Sequence, residues 1–216
     1  ELPRLWMGGQ PKVEWAEGAF QVIETAYAEG QGVLFLTPHL GCFEISAQAV
    51  ANAFSAAQGP LTVLFRPSRQ KGLAQVMEAS RARPGLETAP TTLAGVRQMI
   101  KALRAGRSVG LLPDQVPPEG MGQWVPFFGK PAYTMTLAAR LALQTGAKLV
   151  LIWGERLSWG RGYRIHASAL QDELASDVDA VVLQINQAME RLILTRPEQY
   201  LWGYARYKQP RQEAHA

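Results

Sequence analysis

The sequence contains a single cysteine, Cys42, among 216 residues. One thiol excludes an internal disulfide framework and any zinc site built on a cysteine cluster, and it indicates a reducing compartment, with the cytosol as the default. No run approaches the roughly 18 apolar residues needed to span a bilayer, and no signal peptide opens the chain. Because the first residue is Glu1 rather than methionine, we expect the chain to have been processed or excised, which leaves room for an upstream segment.

Signals for nucleic-acid binding are also missing, since there is no lysine-rich run, no aromatic-basic signature and no zinc-finger spacing. The formal net charge of +4 favours acidic partners such as anionic lipid or an acidic carrier protein, although a solvated surface would have the same charge. Apolar residues make up 47% of the chain, enough for a sizeable core. We therefore assign residues 1–216 to a single domain, without a repeat or linker.

Short apolar runs alternate with segments of helical periodicity. The runs "GVLFLTP", "LTVLFRP", "SVGLLPDQ" and "AKLVLIW" predict buried strands, and "GYRIHASAL" predicts an alternating strand at the sheet edge. Helices are predicted over residues 12–29, 43–57, 91–105 and 178–192 and over the stretch "YTMTLAARLALQTG", which Gly146 closes. This alternation is typical of the α/β class, with a single domain built on a mostly parallel central sheet flanked by helices.

Polar residues follow three of these strands at the edge where ligands collect in parallel sheets. His39 follows the first, Arg66 ends the second, and Asp114 with Gln115 follows the third. A guanidinium at Arg66 suits a phosphate or carboxylate, or forms a surface salt bridge. Asp114 and Gln115 either orient a substrate group or His39, or cap and turn the chain.

The stretch "TPHLGCFE" places His39 five positions before Glu44. On one continuous helix these side chains would lie about 140° apart and would not meet. If the helix begins near Gly41, the His39 ring folds back towards the Glu44 carboxylate, which gives a base held in one tautomer. The alternative is that His39 caps the helix and Glu44 complements its dipole.

Cys42 lies between those two residues. A lone cysteine is most often a small buried hydrophobe, whereas a thiolate near a helix start and a histidine would be a nucleophile for a thioesterase or esterase. His166 and His215 have no evident partners, and we interpret both as structural or incidental.

Residues 116–130 hold many prolines and glycines together with Trp124, Phe127 and Phe128, and we predict an ordered loop with an apolar tip that inserts into a membrane interface. Together with the positive net charge and a site at the sheet edge, these aromatic residues suit an amphiphilic ligand with a long apolar chain and an anionic head group.

The segment "GVLFLTPHLGCFE" resembles the catalytic segment of the bacterial lipid A biosynthesis acyltransferases, the lauroyl and myristoyl transferases, whose hallmark is a strand, then His, four residues, and Asp or Glu. The likeness continues in "LTVLFRPSR", in "GLLPDQVPPEGMGQWVPFFGKPAYTMTLAARLALQTGAKLV" and in "RPEQYLWGYARYK", so it spans nearly the whole chain in order.

This resemblance implies a glycerolipid-acyltransferase-like fold and an O-acyltransferase at the cytoplasmic face of the bacterial inner membrane. His39 would deprotonate a hydroxyl of a lipid A precursor or related glycolipid, with Glu44 as its orienting carboxylate, and the oxygen would attack the thioester of an acyl carrier protein or acyl-CoA. Arg66 would lie beside phosphate or phosphopantetheine. Asp114, Gln115, Trp124 and Phe128 would contact substrate, and neither a metal nor a cofactor beyond the acyl donor is implied.

Alternatives and departures accompany this resemblance. The same chemistry would serve a lysophospholipid or another lipid acceptor, and a lipid-binding module would lack catalysis altogether. Family members usually carry a membrane-spanning or amphipathic helix before the domain, whereas this chain opens with "ELPRLWMGG". Tyr204 and Ala205 in "GYAR" replace a more basic "HRR" type of sequence, a departure that concerns the acceptor more than the reaction.

Overall fold

The computed structural model describes residues 11–65 and 83–212, which form an α/β domain around a seven-stranded sheet. Arg66 and His215 lie outside the described residues. The strands are β1 Val13–Trp15, β2 Val33–Leu36, β3 Leu61–Phe65, β4 Leu86–Pro90, β5 Ser108–Leu111, β6 Gly122–Phe127, β7 Lys130–Met135, β8 Lys148–Arg156 and β9 Tyr163–Ala169. The α-helices are α1 Ala19–Ala28, α2 Phe43–Gln58, α3 Leu93–Arg104, α4 Leu137–Thr145 and α5 Val178–Thr195, and Ser158–Gly160 and Pro197–Gln199 are 3-10 turns.

The main sheet has the strand order β1-β9-β8-β2-β5-β3-β4. All neighbouring strands are parallel except β8 and β9, which are antiparallel, so the prediction of a mostly parallel sheet is confirmed. All four residues of β2 are buried because helices cover both faces of the sheet there. Strands β6 and β7 form a separate antiparallel hairpin.

Two apolar layers enclose the sheet. Helices α1 and α2 cover one face, with Ile23, Tyr27, Ile45 and Phe54 in the core. Helices α3, α4 and α5 cover the other face together with the β6–β7 hairpin. Among the described residues, no helix is both long and apolar enough to cross a bilayer.

The strand register decides which residues meet at the carboxyl edge of the sheet. Leu36, the last residue of β2, is in register with Leu111 at the end of β5 and with Leu151 in β8. The segments that begin at Thr37 and Leu112 therefore leave the sheet side by side. Strand β8 continues for five residues beyond Leu151, to Arg156, and so projects past this edge.

Several predicted elements need correction. The predicted helix over residues 12–29 is instead β1 followed by α1, because the chain pairs with β9 before Gly18 turns it with a φ of 73°. Strand β1 also covers β9, which is therefore not at the sheet edge. Strand β4 had no sequence prediction. The loop predicted over residues 116–130 contains β6, and the segment "YTM" assigned to a helix belongs to β7, because the two strands pair with each other.

Candidate active site

The turn between β2 and α2 depends on Gly41. Its φ is 57°, and a Cβ at this position would collide with the carbonyl oxygen of Gly154 in β8. The close approach allows the Cys42 N–H to donate to that oxygen at 2.8 Å, while the Gly41 N–H donates to Gln199 at 3.1 Å. The His39 carbonyl accepts from the Leu201 N–H at 3.1 Å. Backbone contacts on two sides thus fix the position of His39.

His39 is held by Asp114, which follows β5. The ring Nδ1 lies 2.7 Å from Asp114 Oδ1, and the backbone N–H of His39 donates to Oδ2 at 2.8 Å. A carboxylate only accepts hydrogen bonds, so it selects the neutral tautomer with the proton on Nδ1 and the lone pair on Nε2. Asp114 is buried and His39 is partly exposed, so the ring presents a basic nitrogen to a ligand from outside.

Gln115 contacts the other ring nitrogen. Its Nε2 lies 3.1 Å from His39 Nε2, and in the tautomer set by Asp114 the amide donates to the imidazole lone pair. Of the two roles considered for Asp114 and Gln115, the structure thus supports orientation of His39. A hydroxyl that approaches Nε2 would take the place of this amide group.

Two side chains other than Glu44 hydrogen-bond the His39 ring, and the orienting role expected of Glu44 stays a prediction. Both ring nitrogens are engaged by other side chains, Nδ1 by Asp114 and Nε2 by Gln115. Glu44 lies in the first turn of α2, where it is buried and lines a cavity beneath the helix. Gly41, with its φ of 57°, turns the chain between His39 and Glu44, so the two residues do not lie on one continuous helix.

Asp114 has two further polar neighbours that the sequence patterns did not single out, Tyr200 and Arg206. The Tyr200 hydroxyl hydrogen-bonds the Asp114 carboxylate, and burial followed by the negative charge of Asp114 raises the pKa of that hydroxyl. Burial lowers the pKa of Arg206, an effect that the charge of Asp114 opposes. Both lie in "RPEQYLWGYARYK". The family resemblance of this segment was the only sequence feature that pointed to them, because no residue spacing did.

The guanidinium of Arg206 is buried and fixed at several points. It donates to the Tyr133 carbonyl at 2.8 Å and to Thr134 Oγ1 at 2.6 Å, and it lies 5.0 Å from the centre of the Phe127 ring. A buried cation beside a buried anion stabilises the charged form of each. Arg206 therefore contributes positive charge near the Asp114 carboxylate.

Cys42 precedes the first residue of α2 and is 1% exposed. Its backbone is tied to β8, and its side chain belongs to the apolar cluster beneath α1 and α2. This burial favours the small-hydrophobe interpretation over a nucleophile.

A cavity of about 80 Å³ lies between α2 and the sheet. Its lining is mostly apolar and includes Phe43, Val50, Leu61 and Gly110, with Glu44 as the acidic exception. The rings of His39 and Phe43 meet edge to face with 5.0 Å between centroids, so the His39 ring contacts one of the side chains that line the cavity. A wider groove of about 720 Å³ is formed by α1, α4 and the amino-terminal end of β8, at the opposite edge of the sheet, and it contains none of the predicted site residues.

The aromatic residues of the 116–130 segment do not share one environment. Phe127 is buried beneath Arg206 and so cannot form an apolar tip. Phe128 lies in the β6–β7 turn, where its N–H donates to Glu190 at 2.8 Å and its ring lies 5.9 Å from that of Trp202. Trp124 is partly exposed and packs on Tyr133 in the middle of the hairpin.

His166 has partners, contrary to our prediction. Its Nε2 lies 2.8 Å from Glu155 Oε2, and its ring stacks on Trp153 at a centroid distance of 4.6 Å. Arg196 donates to the other oxygen of Glu155 at 3.2 Å. These contacts join β8 and β9 to the segment after α5 and give His166 a structural role.

A partly exposed histidine held against a buried carboxylate at the strand edge of an α/β sheet is an arrangement typical of general-base sites. In the part of the chain that the structure describes, no group of three or more His, Cys, Asp or Glu side chains is arranged to hold a metal.

The chain belongs to the bacterial lipid A biosynthesis acyltransferase family, whose sequence model matches residues 10–209. It is 27% identical over 190 residues to the lipid A biosynthesis lauroyltransferase of Escherichia coli (strain K12), a match that covers 86% of this chain and 59% of that protein. It is 25% identical over 197 residues to the myristoyltransferase of the same organism, covering 89% and 58%, and 23% identical over 189 residues to its palmitoleoyltransferase, covering 86% and 59%. The chain thus spans less than two thirds of the length of these relatives.

Proposed function

We propose that this protein transfers a fatty acyl chain from an acyl thioester to a hydroxyl of a lipid A precursor or related glycolipid. The observation that carries the proposal is the contact of 2.7 Å between His39 Nδ1 and Asp114 Oδ1, which leaves Nε2 as a base in a member of this family. The names of the lauroyl, myristoyl and palmitoleoyl relatives support the acceptor class and the fatty acyl donor.

The reaction needs no enzyme nucleophile. His39 Nε2 removes the proton of the acceptor hydroxyl while the hydroxyl oxygen attacks the thioester carbonyl. Collapse of the tetrahedral intermediate forms the ester, breaks the carbon–sulfur bond and releases a thiolate, which takes the proton from the imidazolium. Asp114 is a positioning residue that stabilises this imidazolium. In this mechanism Asp114 takes the role that the sequence analysis gave to Glu44.

The start of α2 supplies the environment for the developing oxyanion. The N–H groups of Gly41 and Cys42 are used by Gln199 and Gly154. The groups that remain are those of the helix proper, beginning with Phe43, where the positive end of the helix dipole favours negative charge. We assign the Phe43 N–H as an oxyanion donor.

The cavity beneath α2 is the place we assign to the acyl chain. Most of the side chains that line it are apolar. One of them, Phe43, is in contact with the His39 ring. A volume of about 80 Å³ accommodates part of a fatty acyl chain, with the carbonyl end left at His39.

The partners follow from charge and chemistry. The formal charge of +4 suits an acidic acyl carrier protein and an anionic membrane surface, and acyl-CoA is the alternative donor. We place the enzyme at the cytoplasmic face of the bacterial inner membrane. Among acceptors, a lysophospholipid is the second candidate. His39 would act on the hydroxyl of either acceptor, and we assign no residue to the recognition of a head group.

The proposal is tested by acyl transfer from labelled acyl carrier protein and labelled acyl-CoA to a panel of acceptors that includes a lipid A precursor and a lysophospholipid. Wild type, His39→Ala and Cys42→Ala are compared. We expect labelled glycolipid with wild type and Cys42→Ala and none with His39→Ala. Release of free fatty acid that disappears with Cys42→Ala would instead identify a thiol hydrolase. A lipid-binding module would form no labelled product, and its His39→Ala variant would keep both lipid binding and biological function.

A further inference from the structure

The turn between β8 and β9 presents a tryptophan to solvent. Trp159 lies in the 3-10 turn Ser158–Gly160 and is 97% exposed, the most exposed large apolar side chain in the described part of the chain. An indole in this position gains nothing from burial within the protein.

The backbone at Trp159 is also unfavourable for its residue type. Its φ of 62° and ψ of 30° fall in the left-handed region, which glycine adopts freely and bulky L residues avoid. Glycines stand on either side of Arg161 in the same turn. Neither packing nor turn geometry therefore accounts for a tryptophan at this position.

The same turn is positively charged. Residues 156–162, "RLSWGRG", include two arginines and no acidic residue. Arg156 and Arg161 are both exposed, and Arg161 is oriented by a hydrogen bond of 3.1 Å from its Nε to the Ser158 carbonyl. Arg164, the second residue of β9, forms an ion pair with Glu14 at 2.7 Å. Both arginines of this seven-residue turn lie within three residues of Trp159.

This tip lies on the same edge of the sheet as the active site. Gly154 is bridged to Gly41 in the His39 turn, and the chain continues outward from there through Arg156 to Trp159. The Gln199 side chain accepts a hydrogen bond from the Arg156 N–H at 2.9 Å and donates one to the Arg156 carbonyl at 3.1 Å. Gln199 directly precedes Tyr200, which hydrogen-bonds Asp114. Leu201 and Trp202, the next residues, are also about half exposed on this edge.

We propose that the β8–β9 turn is a membrane anchor that inserts Trp159 into the interface of an anionic phospholipid bilayer, with Arg156 and Arg161 among the lipid phosphates. A tryptophan with an apolar body and an N–H is suited to the depth of the head groups, and adjacent cations add attraction to anionic lipid. The proposal rests on the proposed function in one respect: it brings the bilayer to the edge where His39 would meet a lipid acceptor.

Flotation with vesicles tests the anchor without any catalytic readout. Wild type, Trp159→Gly, Trp159→Ser, Arg161→Gln and Trp124→Ser are mixed with phosphatidylcholine vesicles that contain or lack phosphatidylglycerol, and thermal unfolding is followed in parallel. We expect wild type to bind the anionic vesicles, Trp159→Gly and Trp159→Ser to bind about tenfold more weakly, and Arg161→Gln about fivefold more weakly. Trp124→Ser is the comparison variant, because the sequence predicted that Trp124 inserts into the membrane interface, whereas its ring packs on Tyr133 in the β6–β7 hairpin. If the β8–β9 turn is the anchor, Trp124→Ser should bind like wild type.

The glycine variant separates anchoring from folding. Glycine suits the backbone at this position, so its melting temperature should equal or exceed that of wild type while binding falls. Wild type that ignores anionic vesicles, unchanged binding by both Trp159 variants, or an equal loss with Trp124→Ser would overturn the proposal. His39→Ala should float like wild type, because the anchor does not depend on catalysis. If wild type has no transferase activity but its flotation depends on Trp159, only the proposed function is refuted. If wild type is active but the Trp159 variants float equally well, only the anchor is refuted.

Discussion

Asp114 holds His39 at two points, with Oδ1 at 2.7 Å from the ring Nδ1 and Oδ2 at 2.8 Å from the backbone nitrogen. One carboxylate therefore fixes both the tautomer of the ring and the position of the loop that carries it. The residues are 75 positions apart in the sequence, and they meet because the carboxyl ends of β2 and β5 are neighbours.

Replacing Asp114 by Asn should lower kcat for acyl transfer by roughly 10²- to 10⁴-fold. An amide in this position can donate to Nδ1, which favours the wrong tautomer, and it cannot stabilise the imidazolium. KM for the donor should change little because Asp114 is buried beneath the ring.

Glu44→Gln is the comparison for Asp114→Asn. Both changes convert a buried carboxylate into an amide, and the Asp114 carboxylate hydrogen-bonds Nδ1 of the His39 ring. We expect a smaller loss of kcat for Glu44→Gln. An equal or larger loss, measured with the same acyl thioester and acceptor, would return the orienting role to Glu44.

Tyr200→Phe removes the hydroxyl that hydrogen-bonds Asp114. The free energy of unfolding should fall by about 1.5 to 3 kcal/mol, the usual range for a hydrogen bond to a charged group. Burial and Asp114 raise the pKa of Tyr200 above its ordinary value of 10.0 in the folded state. The stabilisation is therefore fully present below pH 10 and is lost as the pH rises through the folded pKa.

Denaturant unfolding of wild type and Tyr200→Phe between pH 7 and pH 11 measures this difference. Tyr207→Phe is the control, since that hydroxyl donates to the Phe127 carbonyl at 2.9 Å instead. Only Tyr200→Phe should also reduce kcat. A stability difference that grows above pH 10 would contradict the sign.

Gly110→Val should shift the acyl donor preference towards shorter chains. Gly110 lines the cavity beneath α2, and a Cβ there would lie 3.3 Å from Val63 Cγ1 and 3.8 Å from Leu61 Cδ1. Added methyl groups would occupy space that we assign to the chain, with an expected change of about tenfold in the kcat/KM ratio between long and short donors. Gly110→Ala should shift the ratio in the same direction by less. Equal losses for all chain lengths would place the acyl chain elsewhere.

Glu155→Gln should destabilise the protein by about 1 to 2 kcal/mol at neutral pH through lost hydrogen bonds. Burial raises the pKa of Glu155, but the His166 hydrogen bond and the charges of His166, Arg196 and Arg164 outweigh it and lower the pKa below its ordinary value of 4.5. The stabilisation is therefore present above pH 4.5 and lost as the pH falls through the folded pKa.

Unfolding curves at pH 7 and at pH 3 to 4 check this sign. The difference between wild type and Glu155→Gln should shrink in acid. Glu87→Gln removes a more exposed carboxylate whose partner, Arg107, is 3.4 Å away, and it should change the unfolding free energy by at most about 0.5 kcal/mol. A difference for Glu155→Gln that stays constant in acid would contradict the lowered pKa.

The sequence predicted the elements whose signals are local. Buried runs such as "VLFL" and periodic segments such as α5 were assigned correctly because a doubly covered strand and an amphipathic helix each have their own pattern. The short strand β1 and the β6–β7 hairpin were missed, because their identity depends on pairing with a partner strand. His166 was given no partners for the same reason, since Glu155 reaches it across the β8–β9 pair.

By itself, the sequence determined that this is an α/β domain with His39, Asp114 and Gln115 at strand ends, and its motifs placed it in a family. Only the tertiary structure decided which carboxylate meets the imidazole, that Cys42 is buried, and that Tyr200 and Arg206 surround Asp114. The physical reason is that spacing along the chain limits contacts only within one element. Contacts between elements depend on strand order and register, and here these bring Asp114 to the Nδ1 atom of the His39 ring.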